Sequence, residues 1–204
     1  MIHHTSRDGL AILTIDRPDR ANALTAEMLA TLTTRLDEVA AGEERAVVLT
    51  GTGKVFSSGA DLDQVHKGLA TSPEWERLST RISSMPCLTI AALNGTVAGG
   101  AMGMVLACDL RVAAPDAKLF YPAMRLGLLP QPSDPRRLAG LVGMARSKMM
   151  LMGGAKIGAD EALAWGLVDR IANDPVTEAR SLAADCLSAS ADHVMAIKSM
   201  IGRA

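Results

Sequence analysis

The sequence predicts an α/β fold, because short apolar runs alternate with amphipathic helical segments along its 204 residues. Residues 46–50 (AVVLT) and 88–93 (LTIAAL) are typical of strands buried on both faces of a parallel sheet. The short turns between strands and helices favour right-handed crossovers. No repeat, low-complexity tract or linker divides the chain, so we expect a single domain over residues 1–204.

Periodicity and capping residues predict the other elements. Residues 10–15 (LAILTI) alternate as a strand that ends at the turn-rich DRPDR. A helix is expected from Thr25, a capping-type residue, to Gly42. The further predictions are a polar, mostly helical segment up to Met85, a short strand over 109–113, helices over 135–152, 159–164 and 175–188, and a last helix with Val194, Ile197 and Ile201 on one face.

Composition excludes several classes of function. Lys and Arg number 21 against 22 Asp and Glu, without a block of like charge, so neither nucleic acid nor an anionic membrane is an expected partner. Cys87, Cys108 and Cys186 are odd in number and widely spaced, which predicts reduced cysteines, no metal site and a cytoplasmic protein. The N-terminus has no basic region followed by a sustained apolar stretch, so no secretory signal is expected.

The stretch between Arg81 and Asp109 has no charged residue, which raises the question of a membrane span. Pro86, Asn94 and four glycines interrupt it. A buried strand followed by a buried helix explains this pattern better, so we expect no membrane-spanning segment.

Two segments, VVLTGTGKVFSSGADL and TIAALNGTVAGGAMGMVLA, share a buried strand, a Gly-containing turn and an apolar or helix-like continuation. Neither contains the P-loop pattern, and the dinucleotide fingerprint is absent after the first strand, so phosphate binding of those kinds is not expected. A Gly-rich turn at a helix start presents backbone N–H groups to a ligand. Two such turns brought together would bind one oxygen atom.

Four stretches resemble the crotonase superfamily, the enoyl-CoA hydratase/isomerase family, in their order and spacing: IDRPDRANAL, AVVLTGTGKVFSSGADL, ALNGTVAGGAMGMVLACDLRVAA and MMLMGGAKIGADEALAWGLVDRI. The resemblance implies a crotonase-like β/α spiral with a helical C-terminal part. It also implies an acyl-CoA thioester as substrate, with coenzyme A as part of that substrate, no other cofactor, no metal, and assembly as a homotrimer or hexamer. Family members commonly continue with further helices beyond the position of Ala204, so a shortened helical region and a more open pocket are expected.

The resemblance also assigns site residues. The two peptide N–H groups of an oxyanion hole fall on Ala60 and Gly100, where they would stabilise charge on a thioester carbonyl. For each turn taken alone, simple strand-to-helix packing is the alternative. The expected coenzyme A contacts, among which Asp61 either stabilises its turn or lies near the ligand, are Ala21, Ala23, Ser58, Ala60, Asp61, Leu62, Gly99 and Gly100.

The acids of the family's hydratases are missing. Two glutamates activate the water in those enzymes, and their positions here are Gly103 and Ala123. Loss of such groups removes a general acid–base contribution of about 10²–10⁴ in rate, so simple hydration is not expected and Ala123 weakens an isomerase assignment. Two hypotheses follow: an acyl-CoA enzyme with an unusual proton donor, and a non-catalytic acyl-CoA-binding protein.

Three residues of the following loop are candidates for that donor. The hydroxyl of Tyr121 would donate to an enolate, although a tyrosine packed in the core is the alternative. Gln131 would orient water or substrate, but an amide does not exchange a proton near neutral pH. Asp134 is the nearest carboxylate, and helix capping in Ser133-Asp134-Pro135 is the favoured alternative for it.

Overall fold

A computed structural model describes residues 1–202 and confirms the α/β prediction. Its larger sheet has six strands, and only the first pair is antiparallel. With strands numbered in chain order, its spatial order is β1 (Ile2–Arg7), β2 (Leu10–Ile15), β3 (Ala46–Gly51), β5 (Leu88–Leu93), β7 (Leu110–Ala113) and β10 (Arg170–Ile171). The predicted strands at 10–15, 46–50, 88–93 and 109–113 are all present.

A smaller second sheet was not predicted. Its four strands are β4 (Val55–Ser57), β6 (Thr96–Ala98), β8 (Lys118–Phe120) and β9 (Lys156–Gly158), with the last pair antiparallel. The chain passes from β3 to β4, from β5 to β6 and from β7 to β8 through short turns, and then enters helices. Strands of three residues show no periodicity, which is why the sequence does not reveal them.

Eleven helices lie within the described residues. They are α1 (Ala26–Ala41), α2 (Leu62–Val65), α3 (Glu74–Ser83), α4 (Ala101–Ala107), α5 (Ala123–Leu126), α6 (Asp134–Val142), α7 (Met144–Leu151), α8 (Ala159–Trp165), α9 (Pro175–Leu182), α10 (Ala184–Ser188) and α11 (Ala191–Ile201). The capping prediction for α1 is confirmed, because the Thr25 hydroxyl accepts the Met28 N–H at 3.2 Å and the helix ends at Gly42.

The prediction of a single helix was wrong in two places, where the structure has two helices instead of one. The helix predicted over 135–152 divides at Gly143, whose φ of +81° only glycine adopts readily, into α6 and α7. The helix predicted over 175–188 divides at Ala183 into α9 and α10. The predicted face of α11 is buried only at Val194, whereas Ile201 is 82% exposed.

The core lies between the larger sheet and helices α1, α3 and α4. Every residue of α4 is buried, which explains why the surrounding stretch of sequence has no charge. That stretch contains the expected buried strand, β5, and the expected buried helix, α4, with the unpredicted β6 between them. None of the helices within residues 1–202 has the length and apolarity of a membrane span. The opposite face of the sheet packs against α9.

Asn22 joins the loop after β2 to the turn after β3. Its Oδ1 accepts the Arg17 N–H at 2.8 Å, and its Nδ2 donates to the carbonyls of Thr52 at 2.9 Å and Val55 at 2.6 Å. The side chain is fully buried, so these bonds are not exchanged with water. Asn22 therefore holds together the loop after β2 and the turn between β3 and β4.

We expect Asn22→Ala to lower the free energy of unfolding by about 2–3 kcal/mol, because it leaves the Arg17 N–H and the Thr52 carbonyl without this partner and removes one of the two hydrogen bonds to the Val55 carbonyl. Urea denaturation monitored by circular dichroism measures this change. Thr34→Ala, at an exposed position of α1, is the control and should change stability by less than about 0.5 kcal/mol. Equal stability of the two variants would contradict the role given to Asn22.

Candidate functional site

Two glycine-containing turns lie against each other at the centre of the candidate site. One follows β4 and contains Gly59 and Ala60, and the other follows β6 and contains Gly99 and Gly100. A Cβ added to Gly59 would lie 2.9 Å from the Ala98 carbonyl oxygen and 3.5 Å from the Gly100 nitrogen. With a φ of +97° as well, Gly59 leaves no room for any other residue. This close approach brings together the two positions predicted from sequence.

The N–H groups of Ala60 and Gly100 have no acceptor within residues 1–202. Leu24 binds the residues on either side of Ala60, because its N–H donates to Gly59 O at 2.8 Å and its carbonyl accepts from Asp61 N at 2.9 Å. In such a parallel bridge the N–H of the middle residue points away from the partner strand. The Gly100 N–H stands before the first turn of α4, where intrahelical acceptors are lacking.

Both residues line a cavity of about 270 Å³. Its walls are mainly apolar, and Ser58, Tyr121 and Gln131 supply the only polar side chains among the described residues that line it. The other lining residues are Ala60, Leu62, Val65, Ala70, Trp75, Gly99, Gly100, Pro122, Ala123, Leu126, Leu128 and Leu129. An apolar cleft with a few convergent polar groups is typical of a small-molecule site.

Trp75 of α3 is a pocket residue that the sequence analysis missed. A Cβ added to Gly100 would lie 3.1 Å from three atoms of its indole ring, and its Nε1 donates to the Leu69 carbonyl at 2.9 Å. Gly100 therefore gives space to this ring as well as to a ligand. A single tryptophan in a polar helical segment has no motif around it, so only the packing reveals its position.

The two positions that lack an acid differ in their surroundings. Ala123 is buried and lines the cavity. Gly103 lies inside α4, and a Cβ added there would be 2.9 Å and 3.0 Å from the two carboxyl oxygens of Asp134. The side chain of Asp134 thus fills the space next to Gly103.

Tyr121, Gln131 and Asp134, the three candidates of the loop, come together. The Tyr121 hydroxyl donates to Asp134 Oδ2 at 2.9 Å, and the Gln131 backbone N–H donates to the Tyr121 oxygen at 3.4 Å. The capping interpretation of Asp134 was wrong. A helix begins there, but Ser133 occupies the capping position and the Asp134 side chain turns inward to Tyr121.

Burial dominates the electrostatics of this group. It raises the pKa of Asp134 to about 6, against the opposing effects of the Tyr121 hydrogen bond and the Arg137 charge. Burial, together with the charge of Asp134, also raises the pKa of Tyr121 far above its usual value. Arg137 is itself buried and donates to the hydroxyls of Ser79 at 2.9 Å and Ser83 at 3.2 Å.

The predicted coenzyme A contacts form one continuous edge. Ser58 N donates to Ala21 O at 3.0 Å, which joins the loop containing Ala21 and Ala23 to the turn containing Ala60. Leu62 stands exposed at the mouth of the cavity.

Asp61 lies within that edge and stabilises its turn. Its Oδ1 accepts the Asp63 N–H at 3.0 Å, which caps α2, and its Oδ2 pairs with the Arg17 guanidinium. The hydrogen bond from Arg17 lowers the pKa of Asp61. Asp61 thus remains ionised and committed to the turn.

A larger groove of about 750 Å³ lies elsewhere, between α11 and the ends of β5 and β7. It is lined by Val194, Ile197 and the Lys198–Asp109 ion pair, among others, and by none of the site residues predicted from the sequence. Within the described part of the chain no group of three or more His, Cys, Asp or Glu residues is arranged to hold a metal. The smaller cavity is therefore the candidate site, because it holds the unpaired N–H groups.

Comparison with known proteins gives a family assignment that agrees with this geometry. The model of the family described as enoyl-CoA hydratase/isomerase matches residues 5–204. A probable enoyl-CoA hydratase of Rhodobacter capsulatus is 42% identical over 177 residues, which cover 82% of this chain and 68% of that protein. The probable enoyl-CoA hydratase echA6 of Mycobacterium tuberculosis is 34% identical over 171 residues, 84% of this chain and 70% of the relative.

Solved structures agree. Pseudomonas aeruginosa DspI superposes with a TM-score of 0.91 at 28% identity, covering 98% of this chain and 85% of that one. An enoyl-CoA hydratase from Bacillus anthracis gives a TM-score of 0.90 at 28% identity, covering 98% and 81%. The predicted crotonase-like β/α spiral is confirmed by these neighbours.

The raised pKa of Asp134 predicts a specific dependence of stability on pH. Between the pKa of an unfolded aspartate, about 4, and about 6, the folded state binds more protons than the unfolded one. The contribution of Asp134 to stability is therefore fully present below about pH 4 and is lost as the pH rises through about 6. Relative to Asp134→Asn, the wild type should lose about 2–3 kcal/mol over this range.

Urea denaturation of both proteins at several pH values measures this difference. Asp160→Asn, which changes an exposed aspartate in the first turn of α8, is the matched control and should follow the wild type. A difference between wild type and Asp134→Asn that does not vary with pH would contradict the prediction.

Proposed function

The chain belongs to the enoyl-CoA hydratase/isomerase family, and we propose that it binds an acyl-CoA thioester and stabilises its enolate between the N–H groups of Ala60 and Gly100. One observation supports this above all: two residues whose N–H groups have no acceptor within residues 1–202 line the same apolar cavity. Negative charge on the thioester oxygen increases as the enolate forms, so the two donors bind the enolate more tightly than the substrate. A donor of this kind is worth about 3 kcal/mol in the transition state.

The surroundings of the two donors suit the rest of such a substrate. The aliphatic walls formed by Val65, Leu126 and Leu128 would take an acyl chain, since burial of apolar surface stabilises the complex by about 25 cal/mol per Å². Coenzyme A would follow the edge formed by Ala21, Ala23, Ser58 and Leu62. It enters as part of the substrate, and the proposed reaction uses no other cofactor.

Simple hydration is not the reaction we propose, because Gly103 and Ala123 offer no carboxyl group to a water molecule. We propose instead a lyase, isomerase or hydrolase reaction of an acyl-CoA that passes through the enolate. The same absence supports a second candidate, a non-catalytic acyl-CoA-binding protein that uses the same two N–H groups. Two further proposals accompany both candidates: assembly as a homotrimer or hexamer, from the family resemblance, and a cytoplasmic location, from the number and spacing of the cysteines.

Replacement of Gly100 tests the hydrogen-bond donor separately from the packing. Proline suits the backbone there, since Gly100 has a φ of −57°, but it removes the N–H. Gly100→Ala keeps the N–H and adds its Cβ against the same Trp75 ring. We expect Gly100→Pro to lower kcat by about 10²–10³ relative to Gly100→Ala.

Turnover of a panel of acyl-CoA esters, followed by mass spectrometry, measures this loss, and calorimetry measures binding of the same esters. Equal turnover by the two variants would contradict the oxyanion hole. Tight binding without product across the panel would favour the binding protein. Failure to bind any CoA ester would contradict both candidates.

A further inference from the structure

A carboxyl group reaches the empty acid position from a different helix. Gly103 of α4 lies next to the side chain of Asp134 of α6. A Cβ added to Gly103 would lie 2.9 Å and 3.0 Å from the two carboxyl oxygens of Asp134. A Cβ this close cannot coexist with the carboxyl group in its present place, because both distances fall inside van der Waals contact. Gly103 and Asp134 therefore depend on each other, and the carboxyl group occupies the space that a side chain from position 103 would enter.

Tyr121 connects this carboxyl group to the cavity. Asp134 is fully buried and does not line the cavity, whereas Tyr121 lines it together with Ala60 and Gly100. The tyrosine hydroxyl donates to Asp134 Oδ2 at 2.9 Å, so one hydrogen bond separates the carboxyl group from a residue of the cavity wall. The Gln131 N–H, at 3.4 Å from the same hydroxyl oxygen, keeps that oxygen oriented.

The surroundings of Asp134 allow it both to hold and to release a proton. Its Oδ1 is buried without a hydrogen-bond partner within residues 1–202, which favours the neutral acid. The charged groups that face it are Arg137 from its own helix and Glu76 from α3, and their effects oppose each other. Arg137 is bound to two serines and Glu76 is bound to Ser133, so neither forms an ion pair with Asp134.

We propose that Tyr121 and Asp134 form the proton relay of this site and take the place of the acids missing at Gly103 and Ala123. The proposal rests on the proposed function, because it requires an enolate held by Ala60 and Gly100. Tyr121 is the catalytic residue of the pair, since it lines the cavity in which the substrate would bind. Asp134 is a positioning residue that acts through Tyr121.

The proton transfer balances without another reactant. As the enolate forms, a C–H bond beside the thioester breaks, its electron pair forms the C=C bond, and the π-electron pair of the carbonyl moves to the carbonyl oxygen. The proton passes to the Tyr121 oxygen while the Tyr121 proton passes to Asp134 Oδ2. The reverse sequence returns a proton to carbon. Tyr121 does not act alone, because burial beside Asp134 opposes formation of a tyrosinate.

Exchange of the α-protons of a saturated acyl-CoA in D₂O tests the relay directly, because it requires enolate formation and no later step. Butanoyl-CoA, octanoyl-CoA and hexadecanoyl-CoA serve as probes, and mass spectrometry follows the exchange. We expect Tyr121→Phe and Asp134→Asn to slow exchange by about 10²-fold or more. Asp160→Asn should exchange at the wild-type rate, and calorimetry should show that both relay variants still bind the probe.

The pH profile separates a relay from a merely structural role. Enolate formation needs the ionised form of Asp134, so wild-type exchange should rise with pH through about 6 and then level off. Asp134→Glu should keep this rise of the exchange rate with pH, at a lower overall rate, and Asp134→Asn should lose the rise. The same rise of the exchange rate with pH in Asp134→Asn as in the wild type would overturn the role of Asp134.

A glutamate at position 103 of α4 tests whether a carboxyl group from that helix can replace the carboxyl group of Asp134, which fills the same space. Asp134→Gly should slow exchange as Asp134→Asn does, and adding Gly103→Glu to it should restore at least about tenfold of the loss. Gly103→Glu alone meets the Asp134 carboxyl group and should not increase exchange. Thermal unfolding and probe binding of each variant show that the comparison is made on folded protein. No recovery in a double variant that folds and binds would overturn the proposed equivalence of the two positions.

Failure of the relay differs from failure of the proposed function. If Gly100→Pro abolishes exchange while Tyr121→Phe and Asp134→Asn still exchange at the wild-type rate, the relay is overturned and the oxyanion hole stands. Absence of exchange from the wild type with all three probes would overturn the relay and the enolate chemistry together.

Discussion

The close approach of the two glycine turns is the constraint on which the rest of the site depends. Because β3 and β5 are neighbours in the larger sheet, their continuations β4 and β6 are neighbours in the smaller one. The turns that follow them therefore meet, and Gly59 allows the contact with Ala98 and Gly100. The bridge to Leu24 uses the peptide groups on either side of Ala60 and leaves the N–H of Ala60 itself free. The two N–H groups of the proposed oxyanion hole thus belong to the backbone rather than to side chains, which lowers the cost in conformational entropy of holding them in place.

Buried hydrogen bonds on both sides keep these turns in place. Asn22 and Asn94 together bind the backbone of residues 51–55, and Arg17 with Asp61 closes the loop beside Ala60. Trp75 packs below Gly100 and excludes water from that side. Such polar groups are costly when unpaired, so each satisfied bond specifies one arrangement of the loops. The stability of the fold and the geometry of the site therefore depend on the same contacts.

The Tyr121–Asp134 pair places a carboxyl group beside Gly103, a position at which the sequence itself has none. Asp134 starts α6, and its side chain turns inward because Gly103 leaves an empty place on the completely buried α4. A position-by-position comparison with the family's hydratases finds Gly103 and Ala123 in place of two glutamates, which indicates that the acids are lost. The packing shows a buried carboxyl group beside Gly103 that is hydrogen-bonded to the only tyrosine of the chain.

Local patterns in the sequence determined the strands at 10–15, 46–50 and 88–93 and helix α1 with its Thr25 cap, because periodicity and capping act over a few residues. The family resemblance carried by the sequence assigned Ala60 and Gly100. The smaller sheet, the divisions at Gly143 and Ala183, the place of Trp75 and the inward turn of Asp134 were decided only by the tertiary structure. The smaller sheet, the position of Trp75 and the orientation of the Asp134 side chain depend on contacts between residues far apart in the chain, such as Gly103 with Asp134. Such contacts leave no local signal, since the free energy that selects them comes from filling space and pairing buried polar groups after the elements have come together.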